Sequence, residues 1–182
     1  TISVWDADTH EHLATMEGHT DFVMCLTLYG NKLFSGGGHS DRTIRVWDAD
    51  THEHLATMEG HPGSVSLLTF YGNKLFSGDG DDGDSTIRVW DADTHEHLAT
   101  MRGHRGGVMC LTLYGNKLFS GGGIHDGTIR VWDADTHEHL TTMEVDTFAG
   151  VVDCLTLYGN KLFSAGDYCL TISVWDADTH EH

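Results

Sequence analysis

The chain has no apolar run of about eighteen residues, so nothing in it is expected to span a bilayer as a helix. It shows no basic-plus-apolar leader and no initiator Met, so no targeting signal is readable. That missing start fits a natural terminus lying outside these 182 residues. Basic residues are scarce: 10 Lys plus Arg stand against 28 Asp plus Glu, for a formal charge of −18. Affinity for nucleic acid comes chiefly from Lys and Arg neutralising phosphates, so nucleic acid is excluded as an expected partner. Four Cys occur without a CxxC pair. Cys25, Cys110 and Cys154 share one repeated position in an apolar run and read as buried reduced thiols, while Cys169 stands apart in a loop. A cytoplasmic, intracellular setting is expected from that usage. Helix is disfavoured as well, because no apolar stripe of period 3.6 persists.

What the chain does contain is a repeat. Its length and 39% hydrophobic content suit a single soluble domain with a sizeable core. Trp5, Trp47, Trp90, Trp132 and Trp175 lie 42, 43, 42 and 43 residues apart. "TIRVWDADTHEHLATM" is unchanged at 43–58 and 86–101, and "YGNKLFSG" recurs at 29–36, 71–78 and 114–121. A period in the low forties built from short segments indicates a repeat architecture. Each period divides into four strands, a to d. "VMCLTLY" is nearly all apolar and is expected to be buried on both faces. "YGNK" turns the chain, "KLFSG" is the second strand, "TIRVWD" the third, and "HLATM" the outermost.

These residues resemble the WD-repeat β-propeller family over essentially the whole chain. The resemblance rests on Gly-His before strand a, Ser in strand b, Asp in the following turn and Trp-Asp closing strand c. His19, Ser35, Asp41 and Trp47 fit that pattern, as do His61, Ser77, Asp84 and Trp90, and then His104, Ser120, Asp126 and Trp132. In the last repeat only Ser164 and Trp175 remain, because "EVDTFAGVVDCL" replaces the Gly-His turn and Cys169 stands where Asp would be. The resemblance implies that these side chains form a buried hydrogen-bonded network fastening each blade; such a network stabilises only when every member is satisfied. It also implies an all-β fold, a β-propeller of four-stranded antiparallel blades. With about four blades, fewer than the family's usual seven or eight, the chain is expected to form an open arc or part of a larger ring.

The chain begins and ends on "TISVWDADTHEH". It therefore starts at strand c and stops before a final d, as a partial blade at 1–19, blades at about 20–61, 62–104 and 105–145, and an incomplete last blade at 146–182. Three explanations stand: a segment of a longer propeller, a homodimer of two copies closing an eight-bladed ring head to tail, or an engineered repeat. The first is favoured, because a terminal blade rarely carries a superfluous strand and no cap.

Variation between repeats concentrates in the d–a and b–c loops, which project from one end of an a–b–c–d meander. That face is expected to recognise other proteins, with Phe22, Met24, Arg105, Met109, Phe148 and Tyr168 as anchors, since exposed aromatics, Met and Arg are enriched at interfaces. The competing reading is drift in unconstrained loops.

On the opposite side, "THEH" pairs His10 with His12, His52 with His54, His95 with His97, His137 with His139 and His180 with His182. In a strand, i, i+2 spacing puts both rings on one side. One pair supplies two ligands where a closed zinc site wants about four, so a solvated rim is the preferred reading and no metal or cofactor is assigned. "GDGDDGDS" starts a calcium-like alternation at Asp79 and Asp81, but its Gly falls wrongly and its twelfth position is Trp90. The Ser-His-Asp sets belong to the blade interior, and the glycine loops lack the Lys and helix of a phosphate cradle, so catalysis is not expected. The sequence points to a non-catalytic protein-interaction scaffold. The alternatives are a substrate-recognition propeller of a larger ubiquitin-ligase receptor or kinase, by similarity to the propellers of F-box receptors and myosin heavy chain kinases, and a structural repeat without a ligand.

Overall fold

The computed structural model describes residues 1–80, 85–145, 150–166 and 171–182. They form seventeen strands in five antiparallel sheets, with no helix among the described residues. A two-stranded half-blade comes first, β1 (Ile2–Trp5) and β2 (His12–Met16). The first full blade holds β3 (Val23–Tyr29), β4 (Lys32–Gly37), β5 (Ile44–Asp48) and β6 (His54–Met58). The second holds β7 (Leu67–Tyr71), β8 (Lys74–Gly78), β9 (Thr86–Asp91) and β10 (His97–Arg102). The third holds β11 (Val108–Tyr114), β12 (Lys117–Gly122), β13 (Thr128–Asp133) and β14 (His139–Glu144). The last has three strands, β15 (Cys154–Tyr158), β16 (Lys161–Ala165) and β17 (Ser173–Asp176). Strands neighbour one another in chain order within every sheet, as the short connections require.

Local chemistry explains the turns. Tyr29 pairs with Lys32 across a two-residue hairpin whose first central residue, Gly30, has φ 58°. A side chain there would be forced into the left-handed region, which glycine enters without steric penalty. The c–d connection is built on the Asp after each Trp: Asp48 Oδ1 accepts from the amides of Asp50 at 2.9 Å and Thr51 at 2.8 Å. His52 then closes the turn with φ 65° and its amide donating to Asp48 O at 2.9 Å.

Packing is between blades. Phe34, Ile44, Val46 and Met58 of the first blade meet Val65, Leu75, Trp90 and Ala92 of the second in one buried cluster. The same set recurs at the next two junctions, around Phe76 and Trp132, and around Phe119 and Trp175. Polar bonds reinforce each seam. Val65 N donates to Gly37 O at 2.9 Å, and Val108 and Val152 repeat the bond to Asp79 and Gly122. Lys74 Nζ reaches Ala134 O at 3.1 Å and Lys117 Nζ reaches Ala177 O at 3.1 Å, so a cation of one blade clamps the next blade's c–d turn.

The arc is open. Among the described residues β15–β17 pair with neither β1 nor β3. Strand a was expected to be buried on both faces, but β3 alternates: Met24, Leu26 and Leu28 are exposed, Leu28 by 62%. Their counterparts Leu111 and Leu113 pack on the preceding blade, whereas the half-blade before β3 lacks the a and b strands that would cover them. Cys154 departs for the same reason: it is exposed because no blade follows, while Cys25 and Cys110 donate to Val65 O and Val152 O of the next blade. Burial pushes both of those thiols up to about 12, so they stay protonated and unreactive.

Candidate functional site

Each full blade encloses a polar cluster. In the third, Trp132 Nε1 donates to Ser120 Oγ at 2.8 Å, and Ser120 lies 2.7 Å from His104 Nε2. His104 Nδ1 sits 3.2 Å from Asp126. An ionised carboxylate accepts only, so Nδ1 carries the imidazole proton and Ser120 donates to Nε2. Burial alone would raise the Asp126 carboxyl, but hydrogen bonds from His104, Thr128 and the Arg105 amide outweigh it and hold it well below the usual range. The first blade repeats the arrangement: His19 to Ser35 at 2.6 Å, Trp47 to Ser35 at 2.8 Å, and His19 Nδ1 to Asp41 at 3.2 Å. In the second, His61 and Trp90 meet Ser77 at 2.6 and 2.8 Å, and Asp84 lies outside the described residues. In the last, Trp175 donates to Ser164 at 2.9 Å. The serines are fully or almost fully buried, so no substrate can reach them. Trp5, whose half-blade has no strand b, is 59% exposed instead.

The d–a and b–c loops do meet at one end. Gly38 N donates to Phe22 O at 2.8 Å, Ser40 N to Asp21 Oδ2 at 2.8 Å, and Gly123 N to Gly107 O at 2.7 Å. Arg42 Nη1 crosses to Pro62 O of the second blade at 3.0 Å. The four candidate anchors among the described residues do not share one surrounding. Phe22 is 78% exposed, and Met24 faces the open cleft beside Ile2 and Leu26. Met109 is half-buried, and Arg105 lines a separate cleft of about 240 Å³ with Asp126, Arg130 and Glu144. Phe148 and Tyr168 lie outside the described residues. Sequence reasoning missed Ile124, an apolar side chain 54% exposed in a glycine-rich loop of the same face. Its appearance in only one of four b–c loops was the available signal.

The His pairs split. The first of each pair ends the c–d turn at positive φ, 62° to 67°, and so does not follow strand periodicity. His95, His137 and His180 pack on Phe34, Phe76 and Phe119 of the preceding blade at 6.2 Å between ring centres. The second ring stays in its own blade: His97 lies edge-on to Trp90 at 5.0 Å and bonds Thr100 at 3.0 Å. The two rings of a pair thus serve different partners and do not converge on an ion.

Sequence comparison decides the family. A profile of the WD domain, G-beta repeat, matches residues 10–48, 52–91 and 95–133. The chain belongs to the WD40-repeat family. WD40 repeats are generally protein-interaction scaffolds and typically non-catalytic. No curated protein matches this WD40 chain by sequence. Among solved structures it is similar to the computationally designed Ika8 protein, with TM-score 0.84 and 31% identity over all of this chain. The chain spans 54% of Ika8, about half its length. The designed Ika4 protein matches with TM-score 0.76 and 32% identity, covering 89% of this chain and 95% of Ika4. U3-55K matches with TM-score 0.81 and 26% identity, covering 98% of this chain and 55% of its own. The four-stranded sheets are WD40 blades, and their unclosed arrangement is an open arc.

Proposed function

We propose that this chain is a non-catalytic interaction scaffold whose d–a and b–c loops present a recognition face to other proteins inside the cell. The observation that carries the reading is the joining of both variable loops at one end, with Phe22 and Ile124 standing out from it. Exposed apolar anchors set in a hydrogen-bonded loop frame suit binding, because little side-chain order is lost on contact. The half-buried thiol of Cys25 and the buried thiol of Cys110, both unpaired, favour a reducing compartment. In a larger protein the same face would select substrates for a ubiquitin ligase or kinase carried elsewhere on the chain. The test is quantitative recovery of partners from cells by the parent and by a Phe22→Ala, Met109→Ala variant that retains the parent's β-sheet circular dichroism. Loss of a specific partner supports the recognition face. Equal recovery overturns it and leaves a structural repeat without a ligand.

A second reading has its own support. The uncovered inner strand β3 and the three-stranded last blade are complementary ends of one seam, so two copies associate head to tail as a homodimer and close an eight-bladed ring.

A further inference from the structure

The two copies of "TISVWDADTHEH" are held very differently. At the C-terminal copy, Trp175 bonds Ser164, Ala177 N donates to Asn160 O at 2.7 Å, Lys117 clamps Ala177 O, and His180 lies on Phe119. At the N-terminal copy, β1 pairs with β2 alone, Ala7 is exposed, and Ile2 and Val4 provide its packing on Trp47, Val23 and Leu33. Each end also leaves half a seam uncovered. Beside β1, a cleft of about 430 Å³ is lined by Ile2, Ser3, Val23, Met24, Cys25 and Leu26. Beside β17, a cleft of about 420 Å³ is lined by Glu144, Thr171, Ser173, Trp175 and His182, and Ile172 is 68% exposed.

We propose that a second copy of this chain seats its last blade against β3, and that its β17 takes the place of β1 and pairs with β2 as the fourth strand. This rests on the head-to-tail reading above and adds which strand gives way. The chain's internal seams supply the template. Cys25 Sγ meets Val65 O at 3.3 Å and Cys110 Sγ meets Val152 O at 3.2 Å, so exposed Cys154 of one copy meets Val23 O of the other. Phe34 packs edge-on to Phe70, so Phe163 packs on Leu28. Ile172 and Val174 then occupy the positions on Val23, Leu33 and Trp47 that Ile2 and Val4 hold now. A blade has one third-strand position, and β1 and β17 both carry the sequence for it. The more weakly held strand yields. Because β2 sees the same residues in either case, its register carries over: Met16 opposite Ile172, Thr15 opposite Ser173, and Ala14 opposite Val174, as it now faces Ile2, Ser3 and Val4. The displaced segment, with Trp5, is left free at each seam.

The test uses the full chain carrying Thr15→Cys and Ser173→Cys, with Thr15→Cys and Ser3→Cys as the comparison pair. Solution mass is read by light scattering before mild oxidation, and linkage is read on non-reducing gels. The expected result is twice the 20.0 kDa of one chain, an interchain disulfide in the first pair and none in either single variant. The second pair is expected to lose its within-chain disulfide as the copies associate. A longer series of masses with the same interchain link also upholds the strand replacement. Doubled mass with the Ser3 and Thr15 positions still linked within one chain overturns the replacement but leaves the head-to-tail reading standing. A mass of one chain overturns both.

Discussion

Removing the hydroxyl of Ser120 tests the interior clasp directly. Ser120 is fully buried and has two close side-chain partners, the Trp132 indole at 2.8 Å and the His104 imidazole at 2.7 Å, with Arg130 O farther off at 3.5 Å. In Ser120→Ala both lose this partner inside the buried interior. At about 1–3 kcal/mol for each of the two stranded buried groups, the substitution is expected to cost about 2–6 kcal/mol. Ser164→Ala is the internal control, since Ser164 accepts from Trp175 and that blade has no matching His. Its loss is about 1–3 kcal/mol, one stranded donor. Urea denaturation followed by circular dichroism measures the difference. Repeat arrays can unfold blade by blade, so exchange of the Trp132 indole proton by NMR provides the local readout. Indole exchange should accelerate in Ser120→Ala while Trp90 keeps its protection. A loss in Ser120→Ala no larger than in Ser164→Ala would refute the two-partner account.

Two further predictions concern the seams. Burial, followed by the nearby charge of Lys32, Lys74 or Lys117, lowers the pKa of His95, His137 and His180, against opposing carboxylates in the same turns. With folded values below the unfolded 6.5, stability is complete above that pH and is lost as pH falls through the folded values. The urea midpoint should therefore drop from pH 7.5 to 5.5, less steeply in His137→Asn, which keeps a residue tolerant of positive φ; a flat profile in the parent would contradict this. At Gly121 an added Cβ would lie 2.5 Å from Val152 O and 2.6 Å from Cys110 Sγ, so Gly121→Ala must part the third and last blades. The expected loss is about 1–3 kcal/mol by denaturation, and an unchanged midpoint would mean that the seam is looser than it looks.

Much of the fold was legible because the repeat is written in local chemistry. The Gly-Asn hairpin, the Asp-capped c–d turn and the Trp spacing each act within a few residues, so pattern alone places the strands. The exposure of Leu26, Leu28 and Cys154 was not legible. Those side chains match buried or half-buried ones in other repeats letter for letter, and only the presence of a neighbouring blade distinguishes them. The His pairs misled for a related reason: period-two reasoning holds inside a strand, and His52 and its equivalents sit at the end of a turn with positive φ. The meeting of the variable loops at one end was legible from the strand order, but the different clefts to which Met24 and Arg105 turn were not.

The Lys clamp and the Val-to-Gly bond have an implication for inheritance. Each joint is made of one backbone Val N–H bond, a Lys clamp and largely the same side chains on either side, so a replication slip of one 42- or 43-residue period inserts or deletes a whole wedge while leaving the joints closely alike. Wedge number can thus drift between descendants while every surviving junction stays intact, and selection is left to act on how many wedges close the circle.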